Sequence, residues 1–196
     1  MDKLYGKIAK WCVTYGNFRD EQFCVIKFGI EVFMDSFLKI LGILVLSVLF
    51  GQLDKVLIVL LVFCTTKYFA GGAHCESHIG CFLSMAAMCA VSIILSESSA
   101  FLPIWIMALM LTIVIINIIK YAPMPSLKNP IHNQSVLARK RLGSIACALI
   151  VTVIIVFHKD LAVKWLLVTP LLIEAITISP IFNKIKRRKI YEQQNY

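Results

Sequence analysis

The sequence predicts an all-α integral membrane protein with about six transmembrane helices, preceded by an amphipathic N-terminal helix. Of the 196 residues, 59% are hydrophobic and only 16% are charged. The mean hydropathy of +0.82 is far above that of soluble globular domains. Crossing about 30 Å of hydrocarbon takes roughly 20 helical residues, and apolar runs near this length recur along the chain. The basic residues are concentrated between and after these runs.

The first 18 residues, MDKLYGKIAKWCVTYGNF, show the period of an amphipathic helix. The apolar residues of one arc are Leu4, Ile8, Trp11, Tyr15 and Phe18, and those of the neighbouring basic arc are Lys3, Lys7 and Lys10. This pattern predicts a helix that lies in the membrane interface with its apolar face in the lipid. The segment has no unbroken apolar core and no small-residue cleavage site, so we do not expect a cleavable signal peptide.

Six apolar runs follow and predict the membrane spans. They cover residues 36–50, 53–70, 79–95, 100–119, 142–157 and 161–182. The chain contains no internal repeat and no linker-like composition, which favours a single domain over residues 1–196. Its parts are an N-terminal amphipathic region at 1–35, a six-span bundle at 36–183 and a basic tail at 184–196.

The distribution of Lys and Arg predicts the orientation, because these residues accumulate in cytoplasmic loops. They are frequent in the connection at 120–141 and in the tail at 184–189, whereas the opposite connections are short and nearly neutral. Six spans then place both termini and the stretch GGAHCESHIGC, residues 71–81, on the cytoplasmic side. The net charge of +9 fits anchoring to anionic lipid or binding of an acidic peptide. It does not indicate nucleic-acid binding, since no nucleic-acid motif accompanies it.

The stretch GGAHCESHIGC gathers reactive side chains at the end of an apolar run. Gly71 and Gly72 can end the second span and turn the backbone. In one straight helix, His74 and Cys81 would lie about 10.5 Å apart along the axis, so a working pair requires a folded or broken segment. A histidine that takes the proton of a cysteine produces a thiolate nucleophile. The spacing alone leaves open a polar hairpin with an incidental thiol.

Zinc is a second interpretation of the same stretch, since His74, Cys75, His78 and Cys81 offer four potential ligands within eight residues. The paired CxxC and HxxxH spacing of structural zinc sites is absent, and four ligands from so short a segment would be crowded. We therefore predict no metal and no cofactor. The seven cysteines are odd in number and lie mostly in apolar segments, which argues against a disulfide framework.

The segment KYFAGGAHCESHIGCFLS resembles the signature of the accessory gene regulator B (AgrB) family, the membrane cysteine endopeptidases of Gram-positive quorum sensing. That signature has a basic residue, then GGxH, then a cysteine seven residues after the histidine, and then a serine. Three further segments resemble segments of the AgrB family and follow one another in the same order along the chain. They are FGIEVF at 28–33, YAPMPSLKNPI at 121–131 and IEAITISPIF at 173–182. The resemblance extends from the N-terminal region to the last span.

The resemblance implies that Cys81 is the nucleophile and His74 its histidine. It assigns supporting or substrate-binding positions to Glu31, Lys67, Gly72 and Ser84, with Lys67 standing where many members have arginine. Apart from the resemblance, the proline-containing basic loop at 120–141 either presents Lys128 and Arg139 to the active site or merely ends the fourth span. The implied substrate is an AgrD-like propeptide, cut before its acidic tail through a thioester on Cys81 and closed to a thiolactone or lactone. The implied location is the bacterial cell membrane.

A membrane peptide transporter or exporter without catalysis is the alternative. Ionisable groups are almost absent from the first, third, fourth and fifth spans, which disfavours a transport path through the bundle. An exporter of the same propeptide would tolerate Cys81→Ser, whereas a peptidase would not. Glu174, inside the last span, is expected to face the bundle interior or cytosolic water, and helix pairing is favoured over chemistry for it. The sequence leaves open whether the chain acts as a monomer or as a homodimer.

Overall fold

The computed structural model describes residues 2–16, 23–72, 77–101, 103–124 and 134–179. Within these ranges the chain is helical and forms no strand, only one isolated bridge between two loop residues. The helices are α1 (Asp2–Tyr15), α2 (Phe23–Leu49), α3 (Leu53–Ala70), α4 (His78–Glu97), α5 (Ile104–Tyr121), α6 (Gln134–Phe157) and α7 (Leu161–Ile178), with a short 3-10 helix at Ser99–Phe101. The predicted all-α class is confirmed.

Five of these helices are long and apolar enough to cross a membrane: residues Ile26–Leu49 of α2, and α4, α5, α6 and α7. The remaining long helix, α3, has 18 residues and matches a predicted span, but it carries Asp54, Lys55 and Lys67. Length and composition thus support five of the six predicted spans, whereas the 18 residues of α3 include three charged ones. The chain is a multi-pass membrane protein.

Helix α2 begins at Phe23, whereas the predicted first span began at residue 36. Charged residues interrupt the apolar run here, which is why the span predicted from that run began too late. They recur every four residues, at Lys27, Glu31, Asp35 and Lys39, and therefore lie along one face of the helix. Lys39 is hydrogen-bonded to Asp35 within this face. The charged stripe is compatible with a continuous helix although it breaks the apolar run.

Helix α6 also begins early, at Gln134 instead of the predicted residue 142. Its first turns contain Arg139, Lys140 and Arg141, which no hydrophobicity criterion would include. Arg141 Nη2 donates a hydrogen bond to the carbonyl oxygen of Ile119 at 3.2 Å, so this basic turn packs beside the end of α5. Apolar runs mark the part of a helix that lies in hydrocarbon, and the helix itself continues beyond it.

The described chain divides into two compact units, residues 1–51 and 52–196. In the first unit α1 packs against α2, and Ala9 of α1 is fully buried. Trp11 and Tyr15, which belong to the predicted apolar arc, are 62% and 76% exposed, with ring centroids 5.3 Å apart. The predicted N-terminal helix is confirmed and these two aromatic rings are exposed, whereas the placement of the helix in the membrane interface stays a prediction. The single-domain prediction, with its divisions at 35 and 183, stays a prediction.

In the second unit α7 is the central helix and packs against α3, α4, α5 and α6. Ten of its 18 residues are buried. The apolar core around it comprises Val114 and Ile118 of α5, Ile155 of α6, and Trp165, Val168, Leu171, Ala175 and Ile178 of α7. Because α7 is surrounded by other helices, a polar side chain near its end is enclosed by protein.

The contacts of this unit define two ends. At one end Lys55 Nζ donates to Glu97 Oε1 at 2.9 Å and joins the start of α3 to the end of α4. At the other end Lys140 Nζ lies 5.9 Å from the ring centroid of Tyr68, which joins the start of α6 to the end of α3. We call this second end the site end, because the ends of α3, α5 and α7 and the starts of α4 and α6 lie there.

Gly143 of α6 allows a close approach to α3. A methyl group on this residue would lie 2.3 Å from Cδ1 and 2.6 Å from Cε1 of the Phe69 ring, so the two helices would have to separate. We expect Gly143→Ala to lower the free energy of unfolding in detergent by about 1–3 kcal/mol. Gly29→Ala is the control, because nothing lies within 4 Å of that helical glycine. Equal stability of the two variants would contradict the contact.

Candidate active site

The site end begins where α3 stops, at two glycines with positive φ. Gly71 has φ 75° and Gly72 has φ 106°, values that L residues with a side chain rarely adopt. Met124, after the end of α5, donates from its backbone N to the carbonyl oxygen of Ala70 at 2.9 Å, and its own carbonyl accepts from Gly72 N at 3.2 Å. The chain that leads toward His74 is therefore tied to the segment that follows α5.

Neither glycine has room for a side chain. A methyl group on Gly71 would lie 2.4 Å from the carbonyl oxygen of Met124. A methyl group on Gly72 would lie 3.0 Å from Thr177 Oγ1 and 3.1 Å from Glu174 Oε1, both on α7. The paired glycines thus allow the backbone to pass between the loop after α5 and the polar end of α7.

An ion pair between a half-buried lysine and a buried glutamate adjoins this turn. Glu174 is fully buried, and its Oε2 is 3.4 Å from Lys67 Nζ in the last turn of α3. Thr177 donates from Oγ1 to the same Oε2 at 3.3 Å and to the backbone carbonyl of Glu174 at 2.8 Å. The prediction that Glu174 faces the bundle interior is confirmed, and the pair links α3 to α7 below the glycines.

Cys81 lies in the first turn of α4. Ser77 caps this helix by accepting a hydrogen bond from Gly80 N at its Oγ, at 2.9 Å, and Cys81 N donates to the carbonyl oxygen of Ser77 at 3.1 Å. The thiol is free and half-buried. Negative charge is favoured at a helix N-terminus, where backbone N–H groups point outward. The position therefore suits a nucleophile whose reaction develops an oxyanion.

The predicted supporting residues lie in different surroundings. Ser84 is one turn beyond Cys81, and its Oγ donates to the carbonyl oxygen of Gly80 at 2.8 Å. Arg139 is exposed on α6, and its Nε donates to the carbonyl oxygen of Ser135 at 3.4 Å. Glu31 is half-buried on α2, in the first unit. Of the predicted residues, the structure brings Lys67 and Gly72 together around Glu174.

Comparison with known proteins bears on the identity of this site. The sequence profile named "Accessory gene regulator B" matches residues 2–178, which is most of the chain. The chain belongs to the accessory gene regulator B family. The membership predicted from the AgrB signature around Gly72 and Cys81 is thereby confirmed.

Individual relatives agree with the AgrB profile. The chain is 27% identical to the accessory gene regulator protein B of a Staphylococcus aureus strain, over 92% of this chain and 95% of that protein. It is 28% identical to the accessory gene regulator protein B of Staphylococcus lugdunensis, over 93% of this chain and 95% of that protein. It is 27% identical to protein FsrB of Enterococcus faecalis, over 84% of this chain and 68% of that protein. No solved structure matches the chain.

His74, assigned from the AgrB resemblance, and Lys128 of the predicted basic loop lie outside the described residues, as do Cys75 and the basic tail at 184–189. The pairing of His74 with Cys81 therefore stays a prediction. So does the absence of zinc, because two of the four potential ligands lie in the same undescribed stretch. The roles of Ser84, Arg139 and Glu31 likewise stay predictions.

Sequence reasoning missed the contacts that Met124 and Thr177 make at the paired glycines. A signal was present, because both residues belong to segments that agree with the AgrB family, YAPMPSLKNPI and IEAITISPIF. Nothing in the linear sequence indicated that these segments meet at Gly71 and Gly72. Their meeting follows from the packing of α3 and α5 on α7.

Proposed function

We propose that this chain is a membrane cysteine endopeptidase that removes the C-terminal tail of an AgrD-like quorum-sensing propeptide and promotes its cyclisation. The observation that carries the proposal is the half-buried free thiol of Cys81 in the first turn of α4, at the signature position of the family to which the chain belongs. The paired glycines support it, because they tie the chain preceding His74 to the same end of the bundle.

In the first step the Cys81 thiolate attacks the carbonyl carbon of the peptide bond that precedes the acidic tail. The tetrahedral intermediate carries an oxyanion, which the N-terminal turn of α4 favours. His74 protonates the departing amine as the C–N bond breaks. The products of this step are the free tail and a thioester between the propeptide and Cys81.

In the second step a thiol or hydroxyl within the propeptide attacks the thioester, gives its proton to His74 and releases the Cys81 thiolate. Ring closure competes with hydrolysis only if the internal nucleophile is held close and water is kept away. A site at the edge of the bilayer meets the second condition, because it limits the access of water to the thioester. The product is a cyclic thiolactone or lactone peptide.

The charge at the site end supports an acidic substrate and a cytoplasmic orientation. Lys140 and Arg141 lie in the first turns of α6, beside the end of α5, which carries Lys120. At the opposite end the basic side chains are balanced by acidic ones: Lys55, Lys159 and Lys164 against Asp54, Glu97 and Asp160. Basic residues favour the cytoplasmic side of a membrane. We therefore propose that the site opens to the cytoplasm and that the basic segment at 120–141, including Lys128 and Arg139 of α6, holds the acidic tail.

The test uses a propeptide whose internal nucleophile is replaced by alanine, co-expressed with the full chain. Because ring closure is then blocked, we expect the thioester on Cys81 to accumulate as an adduct of the propeptide mass that hydroxylamine removes. The measurement is intact mass and peptide mapping of the purified chain. Tail release from this propeptide that persists in Cys81→Ala would contradict covalent catalysis by Cys81. A non-catalytic exporter would leave the tail attached.

A further inference from the structure

Lys120 and Arg141 meet at the level where two apolar runs end. Lys120 directly follows the apolar run at 100–119, and Arg141 directly precedes the run at 142–157. Arg141 Nη2 donates a hydrogen bond to the carbonyl oxygen of Ile119 at 3.2 Å, which joins the first turns of α6 to the last turn of α5. Standard peptide geometry then places Nη2 within about 6 Å of the α-carbon of Lys120. Two basic residues are therefore brought together at the edge of the hydrocarbon.

Neither of these two residues has an acidic partner among the residues that the structure describes. The sequence contains no Asp or Glu between Glu97 and Asp160, so α5, α6 and the connection between them supply none. Glu174, the acidic residue near this end of α7, is buried and paired with Lys67. Adjacent cations repel each other, and an anion bound between them would remove that repulsion. The pair is thus a candidate site for an anion from outside the chain.

Both side chains can donate to such an anion. A guanidinium has five N–H donors, and the bond to Ile119 uses one of those of Arg141. Arg141 and Lys120 are exposed, and Lys120 Nζ lies 5.5 Å from the ring centroid of Tyr121. A phosphate group suits this arrangement, because it accepts paired hydrogen bonds from a guanidinium and a further one from an ammonium.

The surroundings of the pair favour a lipid phosphate over a free one. Phospholipid phosphates lie at the boundary of the hydrocarbon, which is the level that Lys120 and Arg141 mark. Exposed apolar side chains lie on the hydrocarbon side of both residues: Ile116, one turn before Lys120, is 56% exposed, and Leu142, next to Arg141, is 70% exposed. We propose that Lys120 and Arg141 bind the phosphate of an anionic phospholipid, whose acyl chains lie along the exposed faces of α5 and α6.

This lipid site goes beyond the proposed function and does not depend on covalent catalysis. Within the basic segment at 120–141 it assigns Lys120 and Arg141 to lipid and leaves Arg139 for the acidic tail. Arg139 lies about 160° around the α6 axis from Arg141. Its Nε donates to a backbone carbonyl of its own helix. Arg139→Gln is therefore a matched control, because it removes the same charge from the same part of α6 but from another face.

The test measures the binding of phosphatidylglycerol and of phosphatidylcholine to the full chain in detergent, by native mass spectrometry during titration with each lipid. We expect the wild-type chain to bind phosphatidylglycerol about tenfold more tightly than phosphatidylcholine, because the choline group of the latter is repelled by the two cations. Arg141→Gln and Lys120→Gln should each weaken the binding of phosphatidylglycerol about fivefold. Arg139→Gln should bind it as the wild-type chain does.

Each contrary result has a definite meaning. Equal weakening in Arg139→Gln and Arg141→Gln would indicate diffuse attraction to a basic surface and would overturn the site. If Arg141→Gln does not accumulate in the membrane, Lys120→Gln decides, because it leaves the bond from Arg141 to Ile119 in place, and wild-type binding by that variant overturns the site.

Two competitors distinguish the lipid from other anions. Inorganic phosphate that displaces phosphatidylglycerol more than potassium chloride of equal ionic strength does would overturn the lipid assignment in favour of a free anion. Displacement by a synthetic peptide of the acidic tail would overturn it in favour of the propeptide. Since no propeptide is processed in these titrations, their result is independent of whether Cys81 is catalytic.

Discussion

Cys81→Ala is expected to abolish release of the tail from the propeptide, with a loss of at least about 10⁴-fold, while the level of the chain in the membrane is unchanged. The side chain is half-buried in the first turn of α4, and a methyl group fits wherever a thiol fits. The loss therefore reports the chemistry of the sulfur and not its packing. The measurement is the gel shift and mass of a tagged propeptide co-expressed with the full chain. His74→Ala should also lower the rate of tail release.

The control for this experiment is Cys64→Ala. Cys64 is a free, exposed cysteine on α3, so it shares the residue type but not the position at a helix start. We expect Cys64→Ala to process the propeptide at the wild-type rate. Cys81→Ser distinguishes the peptidase from an exporter, because transport would continue without the sulfur. Processing retained in both Cys81 variants would remove the basis for catalysis at this site.

Gly71→Ala is expected to have the largest structural effect of any conservative substitution at the site end. Alanine at φ 75° is strained, and its methyl group would lie 2.4 Å from the carbonyl oxygen of Met124, which also binds Gly72 N. We expect a loss of about 3 kcal/mol or more in the free energy of unfolding in detergent. Because the turn leads to His74, tail release should fall at least about 100-fold.

Gly51→Ala separates the two causes of the expected loss of stability, which are the strained positive φ and the contact with Met124. Gly51 also has a positive φ, 63°, but nothing lies within 4 Å of a methyl group there. It therefore reports the conformational cost alone, which we expect to be about 1 kcal/mol. A Gly71→Ala variant that is no less stable than Gly51→Ala would show that the bridge to Met124 does not hold the turn.

Three segments that agree with the AgrB family meet at the site end, although they are far apart in sequence. The stretch at 67–84 ends α3 and begins α4, Met124 follows α5, and Glu174 and Thr177 lie near the end of α7. Hydrogen bonds join the first to the second, and the ion pair of Lys67 with Glu174 joins the first to the third. This convergence gives the shared segments one structural role, which is to hold the turn before His74.

The sequence predicted the helical class and most of the helices because hydrocarbon imposes one strong requirement: backbone hydrogen bonds must be satisfied within the segment. The same requirement explains why the predicted starts of α2 and α6 were too late, since it applies only to the part of a helix that lies in hydrocarbon. Both helices continue into polar turns, around Lys27 and Arg139, where this requirement no longer applies. Helix extent there depends on side-chain pairing along one face and on neighbouring helices.

The sequence by itself determined the membrane class and the family, and it predicted Cys81 as the nucleophile, because hydrophobic runs and a spaced motif are local properties of the chain. Only the tertiary structure decided why both glycines are needed and where Glu174 points. Those answers depend on Met124, which follows α5, and on Glu174 and Thr177 of α7. Their atoms lie within 4 Å of where methyl groups on Gly71 and Gly72 would be, although they come from distant parts of the chain. Contacts of this kind follow from how helices pack, and the sequence does not display that packing.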